Sequence, residues 1–338
     1  MKKRIAWIDT YRGILILLVV LNHQSLAHPV VNEALLAVRM PAFFFISGFL
    51  LSDRYQIFMP FAYRRLRQLI VPYFLFFVLN WLFWVVALAG PQESITRPLM
   101  SMLYGCVNTP GGTQNINAAP LWFITTLFLA ELYFFWLRRW FQNGWRLLAA
   151  LLGIGILGYL SSRYATFRMP WNAEVALTAA LFYGLGYWVK KEGAFGYLPR
   201  TKPVGVLLLS LFLVTAIYLS LESRPHFDLN DLGSSALLTY VSGLFGIAAM
   251  VLAAHLIGRN RFLEYLGRNT YIILAFHLSV LYLLHGVFKR LGFDFDVMIH
   301  SDLWGGFYLV LSIVLLVPLI EIVNRFTPSI LYRQKQGV

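Results

Sequence analysis

The chain has 338 residues, of which 59% are apolar and only 13% charged. Soluble globular chains carry about 25% charged residues, so a soluble fold of this composition would leave too much apolar surface in water, and a disordered chain would be apolar-poor. The formal charge is +13, from 28 Lys+Arg against 15 Asp+Glu. In a soluble chain that balance suggests nucleic acid. Here the basic residues sit in short segments between apolar runs and read first as orientation signals in a bilayer. Membrane lipids, and no nucleic acid, are the expected surroundings. The predicted class is all-α, a polytopic helical membrane bundle.

Each crossing needs about 20 mostly apolar residues. Ten apolar stretches, punctuated by polar or Gly/Pro residues, lie at 10–28, 35–52, 69–90, 118–137, 146–162, 173–189, 203–221, 234–257, 269–288 and 303–324. They predict about ten transmembrane helices in one domain over 1–338, with no soluble domain appended. Ten crossings put both ends on one side, and alternate connections then hold 20 Lys and Arg against 6 on the other side. Arginine and lysine mark the cytoplasmic side, so both termini are expected to be cytoplasmic. The first run follows Lys2, Lys3 and Arg4, and Ser25-Leu26-Ala27 resembles a signal cleavage site. Cleavage there would discard the most informative polar residues, so the segment is read as a retained span. The longest outer connection, 91–117, carries Gly105, Asn108, Pro110, Gly111, Gly112 and Asn115 and reads as irregular. The single cysteine, Cys106, excludes an intramolecular disulfide and a multi-cysteine metal site, and no metal is expected.

Ionisable residues within a span are expensive in hydrocarbon and mark function by default. The first span holds Asp9, Arg12 and His23. Asp9 and Arg12 are three apart and can pair on one helix face. Arg12 and His23 are eleven apart, which returns to within about 20° of the same direction over about 16 Å of rise. One polar stripe therefore runs from the cytoplasmic edge into the bilayer, with Asn22 beside the imidazole. An interfacial anchor and a packed histidine would read the same way singly; the shared face favours function. In the second span, from Arg39-Met40-Pro41 to Phe49, Pro41 suits a first helical turn. Ser47 and Gly48 are small enough to admit a neighbouring helix or a ligand.

The following charged segment, Tyr63-Arg64-Arg65-Leu66-Arg67-Gln68 before Pro72, reads as a loop. Its arginines, three apart, can clamp phosphates bidentately or serve only as a topology signal. Glu131 lies deep in the fourth span after Leu121-Trp122-Phe123, and His277 deep in the ninth. The two can also form a polar pair between helices with no catalytic role. His255 and His285 lie nearer span ends and carry less weight.

Together these residues resemble the membrane-bound acyltransferase family 3, which O-acylates envelope glycans and other acceptors in bacteria. Asp9-Thr10-Tyr11-Arg12-Gly13 with His23 resembles its opening motif, and Phe44-Phe45-Ile46-Ser47-Gly48-Phe49-Leu50 its second-span motif. Arg64-Arg65-Leu66-Arg67 is similar to its Arg-x-x-Arg element. Leu121-Trp122-Phe123 is similar to its fourth span, and Leu266-Gly267-Arg268-Asn269-Thr270-Tyr271 with His277 to its ninth. The Met40-Pro41 to Gly48 stretch is similar to the fucose 4-O-acetylase-like branch. The chain departs at Pro120, where many members have a histidine before Leu-Trp-Phe.

The resemblance implies an acyl donor, most simply cytosolic acetyl-CoA, and a hydroxyl acceptor on an envelope glycan or lipid-linked saccharide, in the bacterial inner membrane. In that reading Arg64, Arg65 and Arg67 bind the phosphates of coenzyme A, and His23 takes the acceptor proton as general base. Asp9 and Arg12 fix the helix or the donor, and Asn22 or Ser47 donates to the oxyanion. Trp122, Glu131 and His277 support the site. The rival class is a transporter or flippase for a small anion or lipid-linked glycan. Such proteins commonly show internal repeats, and none is evident here.

Overall fold

Apolar segments in a bilayer must satisfy their own backbone hydrogen bonds, and helices do so within a single segment. The computed structural model describes residues 6–24, 29–87, 96–107, 119–165, 167–193, 198–199, 201–294, 298 and 301–326. These form α1 (Ala6–Asn22), α2 (Pro29–Ala34), α3 (Leu36–Phe49), α4 (Phe58–Arg65), α5 (Val71–Ala87) and α6 (Thr96–Tyr104). There follow α7 (Trp122–Trp140), α8 (Gly144–Tyr164), α9 (Val175–Lys191) and α10 (Lys202–Ser223). The chain continues in α11 (Ala236–Ile257), α12 (Arg261–Arg268), α13 (Thr270–Arg290) and α14 (Asp302–Phe326). No strand occurs among the described residues. Each of the ten predicted stretches falls on a helix, and seven helical segments are long and apolar enough to cross a membrane. The protein is an all-α, multi-pass membrane bundle.

The spans differ in how much of their surface the protein buries. Two thirds (67%) of the apolar window at Ala119–Trp140 is buried inside the protein, against 17% at Lys202–Ser223. Thus α7 belongs to the core, and α10 turns most of its surface to lipid. The centre is α3, against which α9, α11 and α1 pack. Apolar side chains gain little from meeting each other in lipid, so close backbone approach drives such packing. A methyl at Gly48 of α3 would overlap the Tyr183 carbonyl of α9, and one at Gly186 of α9 would overlap the Phe45 carbonyl of α3. The same reciprocal contact joins α1 to α12 through Gly13 and Gly267. The Ser47-Gly48 step thus serves, at Gly48, the approach of a neighbouring helix.

Three boundaries differ from expectation in ways that matter for the site. Helix α1 starts four residues before the predicted 10–28 span and ends at Asn22. Polar Asn22, His23 and Gln24 close it through tightened bonds from His23 N to Val20 O and Gln24 N to Leu21 O. Pro41 lies inside α3, because that helix begins at Leu36 and not near Arg39. The arginine-rich segment is helix, not loop: Phe58 to Val86 is one continuous helical segment, with a π turn at Leu66–Ile70 between α4 and α5. Pro72 lacks an N–H and its ring clashes with a carbonyl one turn back, and a widened turn accommodates that change. The Leu69 carbonyl within the turn accepts from the Tyr271 hydroxyl at 2.7 Å. In the predicted outer connection 91–117, residues 96–104 form α6. Asn108 to Asn115, the Ser25-Leu26-Ala27 triplet and the basic residues at both termini lie outside the described residues.

Candidate functional site

Two cavities open along α1, one toward each end of the helix. The first, about 410 Å³, is lined by Asp9 and Arg12 together with Ser47, Arg65, Glu131 and Arg268. The second, about 580 Å³, is lined by Asn22, His23, Arg39, Trp122 and Asp228 among others. Both volumes fall in the range of small-molecule sites. Phe43, Phe123, Thr270 and Leu274 line both cavities. The Arg12 chamber and the His23 chamber therefore meet back to back across a thin partition of two rings, a hydroxyl and a leucine. The stripe predicted on α1 serves both, with its cation in one chamber and its imidazole in the other.

In the Arg12 chamber the arginines have carboxylates close by. Arg65 Nε stands 2.7 Å from Glu131 Oε2, with both side chains buried, and Arg65 Nη1 donates to Gln68 Oε1 at 3.1 Å. Arg268 pairs with Glu264 one helical turn back at 3.5 Å. Asp9 and Arg12 line the chamber from one helix face. Ser47 lines it too, but its hydroxyl is committed to the Phe43 carbonyl at 2.8 Å. Arg64 and Arg67 do not line the cavity. Arg64 lies half-buried beside the Tyr55 ring and Arg67 is exposed beside the Tyr63 ring, with guanidinium carbons 5.1 Å and 5.8 Å from the ring centroids.

The histidine that lines the second chamber is one of a pair. His277 Nε2 lies 3.2 Å from His23 Nδ1, and the rings meet edge to face at 4.9 Å. Chemistry fixes the protons. His277 Nδ1 faces two backbone carbonyls, Ile273 at 2.9 Å and Leu274 at 3.0 Å. A carbonyl only accepts, so this nitrogen carries the hydrogen, and the neutral ring is left with a bare Nε2. His23 Nδ1 faces that lone pair and the Val19 carbonyl at 2.9 Å, so it too carries the hydrogen and is shared between the two. His23 Nε2 is then the unprotonated nitrogen of a ring that lines the chamber. His277 is fully buried and acts on the chamber only through His23. The alternative pairing of Glu131 with His277 does not form: Glu131 holds Arg65, and His277 holds His23.

Several buried polar residues carry no assignment from sequence. Arg39 lies within the apolar second span and lines the His23 chamber. A buried polar knot braces one wall of that chamber. Arg168 pairs with Glu174 at 3.1 Å and donates to Asn172 Oδ1 and to the Asp228 carbonyl, each at 2.7 Å. Trp171 and Asn172 adopt left-handed backbone there, with φ of 59° and 56°. Burial holds the Asp228 carboxyl above its ordinary range. Burial likewise pushes the Cys106 thiol up to about 11, which keeps it protonated and inert. Asn80 ties α5 to α13 by donating to the Ala275 carbonyl at 3.0 Å and accepting from Ser279. Arg168 meets Asn172 and Glu174 four and six residues on, but its bond to Asp228 and those of Asn80 to α13 join positions far apart in the chain, which no local spacing marks.

A family model described as an acyltransferase domain matches residues 5–321. No curated protein and no solved structure matches the chain.

Proposed function

The chain belongs to this acyltransferase family, and on that premise we propose that it is a bacterial inner-membrane O-acetyltransferase. It moves an acetyl group from cytosolic acetyl-CoA to a hydroxyl of an envelope carbohydrate. Membership in an acyltransferase family leaves the transporter alternative without support. The observation that carries the reading is the bare His23 Nε2 in a chamber that shares a wall with an arginine-lined one. The basic-residue bias of the loops assigns the Arg12 end of α1 to the cytoplasm, where coenzyme A is made. The donor docks in that chamber. Arg12, Arg65 and Arg268 supply cationic surface for its phosphates, with Arg64 and Arg67 outside the chamber on the same helical segment as Arg65. Its thin pantetheine arm carries the thioester to the partition at Phe43 and Phe123. The acceptor occupies the His23 chamber, where Trp122 and Phe123 offer apolar faces to a sugar ring.

A hydroxyl is a poor nucleophile at neutral pH, so its proton must leave as attack begins. His23 Nε2 takes that proton while the acceptor oxygen bonds to the thioester carbon. The resulting oxyanion sits near the partition, and the Asn22 amide is a donor for it among the polar groups that line the chamber. The C–S bond then breaks, the ester is released, and the coenzyme A thiolate recovers the proton from the imidazolium. His277 accepts the Nδ1 hydrogen of His23 throughout and keeps the basic nitrogen aimed into the chamber.

Removing the imidazole tests the reading. His23→Ala should lower acetyl transfer by about 10²–10⁴-fold, the usual contribution of a positioned base. The assay is release of free coenzyme A thiol by the purified chain in nanodiscs, with the acetylated envelope glycan followed by mass spectrometry. Full glycan acetylation by a folded His23→Ala protein would defeat the proposal.

A further inference from the structure

Arg39 is 4% exposed, yet no carboxylate among the described residues pairs with it. A guanidinium has five N–H donors and no acceptor, and cannot shed its charge in a protein. Here two of its nitrogens reach backbone carbonyls, at the long distances of 3.5 Å to Leu18 and 3.4 Å to Asn32. Burying a charge in this way is costly unless a counter-charge arrives. The guanidinium lines the His23 chamber, and so does Asn32, whose side-chain Oδ1 is buried with no hydrogen-bond partner.

The acids of the same chamber are already engaged. Glu33 faces Arg224 at 3.5 Å on the exposed rim. The Asp228 carboxyl lies against the N–H groups of its own turn and within the field of His226 and Arg168. His23 and His277 hold each other and backbone carbonyls. Among the described residues the chamber therefore has one cation left over, beside the residue read above as the base, and an idle acceptor next to it.

We propose that Arg39 is an anion-binding subsite and that the acceptor is an acidic saccharide, whose carboxylate or phosphate pairs with Arg39 while a hydroxyl donates to Asn32. This rests on the reading of the His23 chamber as the acceptor site. It adds that charge on the acceptor, and not ring shape alone, selects what is acetylated. The guanidinium fork suits a planar carboxylate and a phosphate equally, so the two sources are separated by experiment.

The test measures binding without donor, so it does not depend on catalysis. The full chain in nanodiscs is heated at constant ionic strength with methyl β-D-glucuronide, glucose 1-phosphate or neutral methyl β-D-glucoside. At least one anion should stabilise the protein at concentrations about 10-fold below those the glucoside needs, the scale of one charge-assisted bidentate contact. Preference for the uronate assigns a carboxylate acceptor, and preference for the sugar phosphate assigns a phosphorylated one. Arg39→Gln should abolish the preference and Arg39→Lys should keep part of it. Equal response of the unaltered chain to all three sugars, or response to none, overturns the proposal whether or not the variants fold. His23→Ala should retain the anion preference. Loss of transfer in that variant without any anion preference in the parent would leave the base standing and remove only the Arg39 subsite.

Discussion

The two chambers share α1 and a partition but handle charge in opposite ways. In the Arg12 chamber, Arg65 has Glu131 at 2.7 Å, Arg268 has Glu264 at 3.5 Å, and Asp9 stands one turn from Arg12. There Arg65 and Arg268 each have a carboxylate beside them. In the His23 chamber, Arg39 meets only backbone carbonyls among the described residues, and His23 Nε2 is left unprotonated. The difference separates a cationic surface built on ion pairs from a chamber with a buried guanidinium that meets no carboxylate among the described residues.

The largest expected effect breaks the settled side. Glu131→Gln leaves the Arg65 charge buried without its partner, which costs about 3–5 kcal/mol. The thermal midpoint in detergent and the yield of folded protein should both fall, with anion binding in the His23 chamber unchanged in whatever folds. Replacing both residues with neutral ones should recover most of the stability, because no charge is then left unpaired. Wild-type stability in Glu131→Gln alone would show that the pair carries no structural load.

A smaller effect is expected on the reactive side. His277→Ala removes the acceptor for the Nδ1 hydrogen of His23, while Val19 still holds that hydrogen at 2.9 Å. The loss is one hydrogen bond of orientation, about 10-fold in kcat. The KM for acetyl-CoA should stay as it was, since the donor chamber is untouched. His277→Gln presents an amide oxygen to the same hydrogen and should restore part of the rate. An equal loss in both variants, or a loss shared by kcat and donor KM, would make His277 a packing residue instead.

The sequence marks those parts of this arrangement that break a local rule. Asp9, Arg12, His23, Glu131 and His277 stand out because ionisable groups are rare in apolar runs, and each lines a chamber or holds a residue that does. Partners are another matter. His23 and His277 are 254 positions apart, and nothing in either span says that they meet while Glu131 turns to Arg65. Arg39 is visible as a charge in a span, but its isolation depends on where Asn32, Glu33 and the 225–228 turn lie. The charged segment from Tyr63 to Gln68 reads as a solvated loop because charge is taken as a sign of water. The helix continues through it, with Arg65 paired to Glu131. The partition of Phe43, Phe123, Thr270 and Leu274 comes from three helices and leaves no periodic trace.

The smallest effect concerns the two arginines outside both chambers. Arg64 and Arg67 lie on the same helix as Arg65 but touch the Tyr55 and Tyr63 rings instead of the cavity. Charges at such positions act on a phosphate through water and salt, and exposed pairs are worth about 0.2–1 kcal/mol each. Arg64→Ala with Arg67→Ala should therefore raise the KM for acetyl-CoA about threefold at low salt, with kcat and the acceptor KM unchanged. Because the Debye length shrinks from about 30 Å at 0.01 M to about 10 Å at 0.1 M salt, the difference from the parent should fade over that range. A donor KM unchanged even at 0.01 M would assign phosphate recognition to Arg12, Arg65 and Arg268 alone, and leave the surface pair to orient the chain in the bilayer. A rise well beyond threefold that persists in high salt would require direct contact. The donor would then extend out of its chamber along α4, and the settled chamber would prove as open to its ligand as the reactive one.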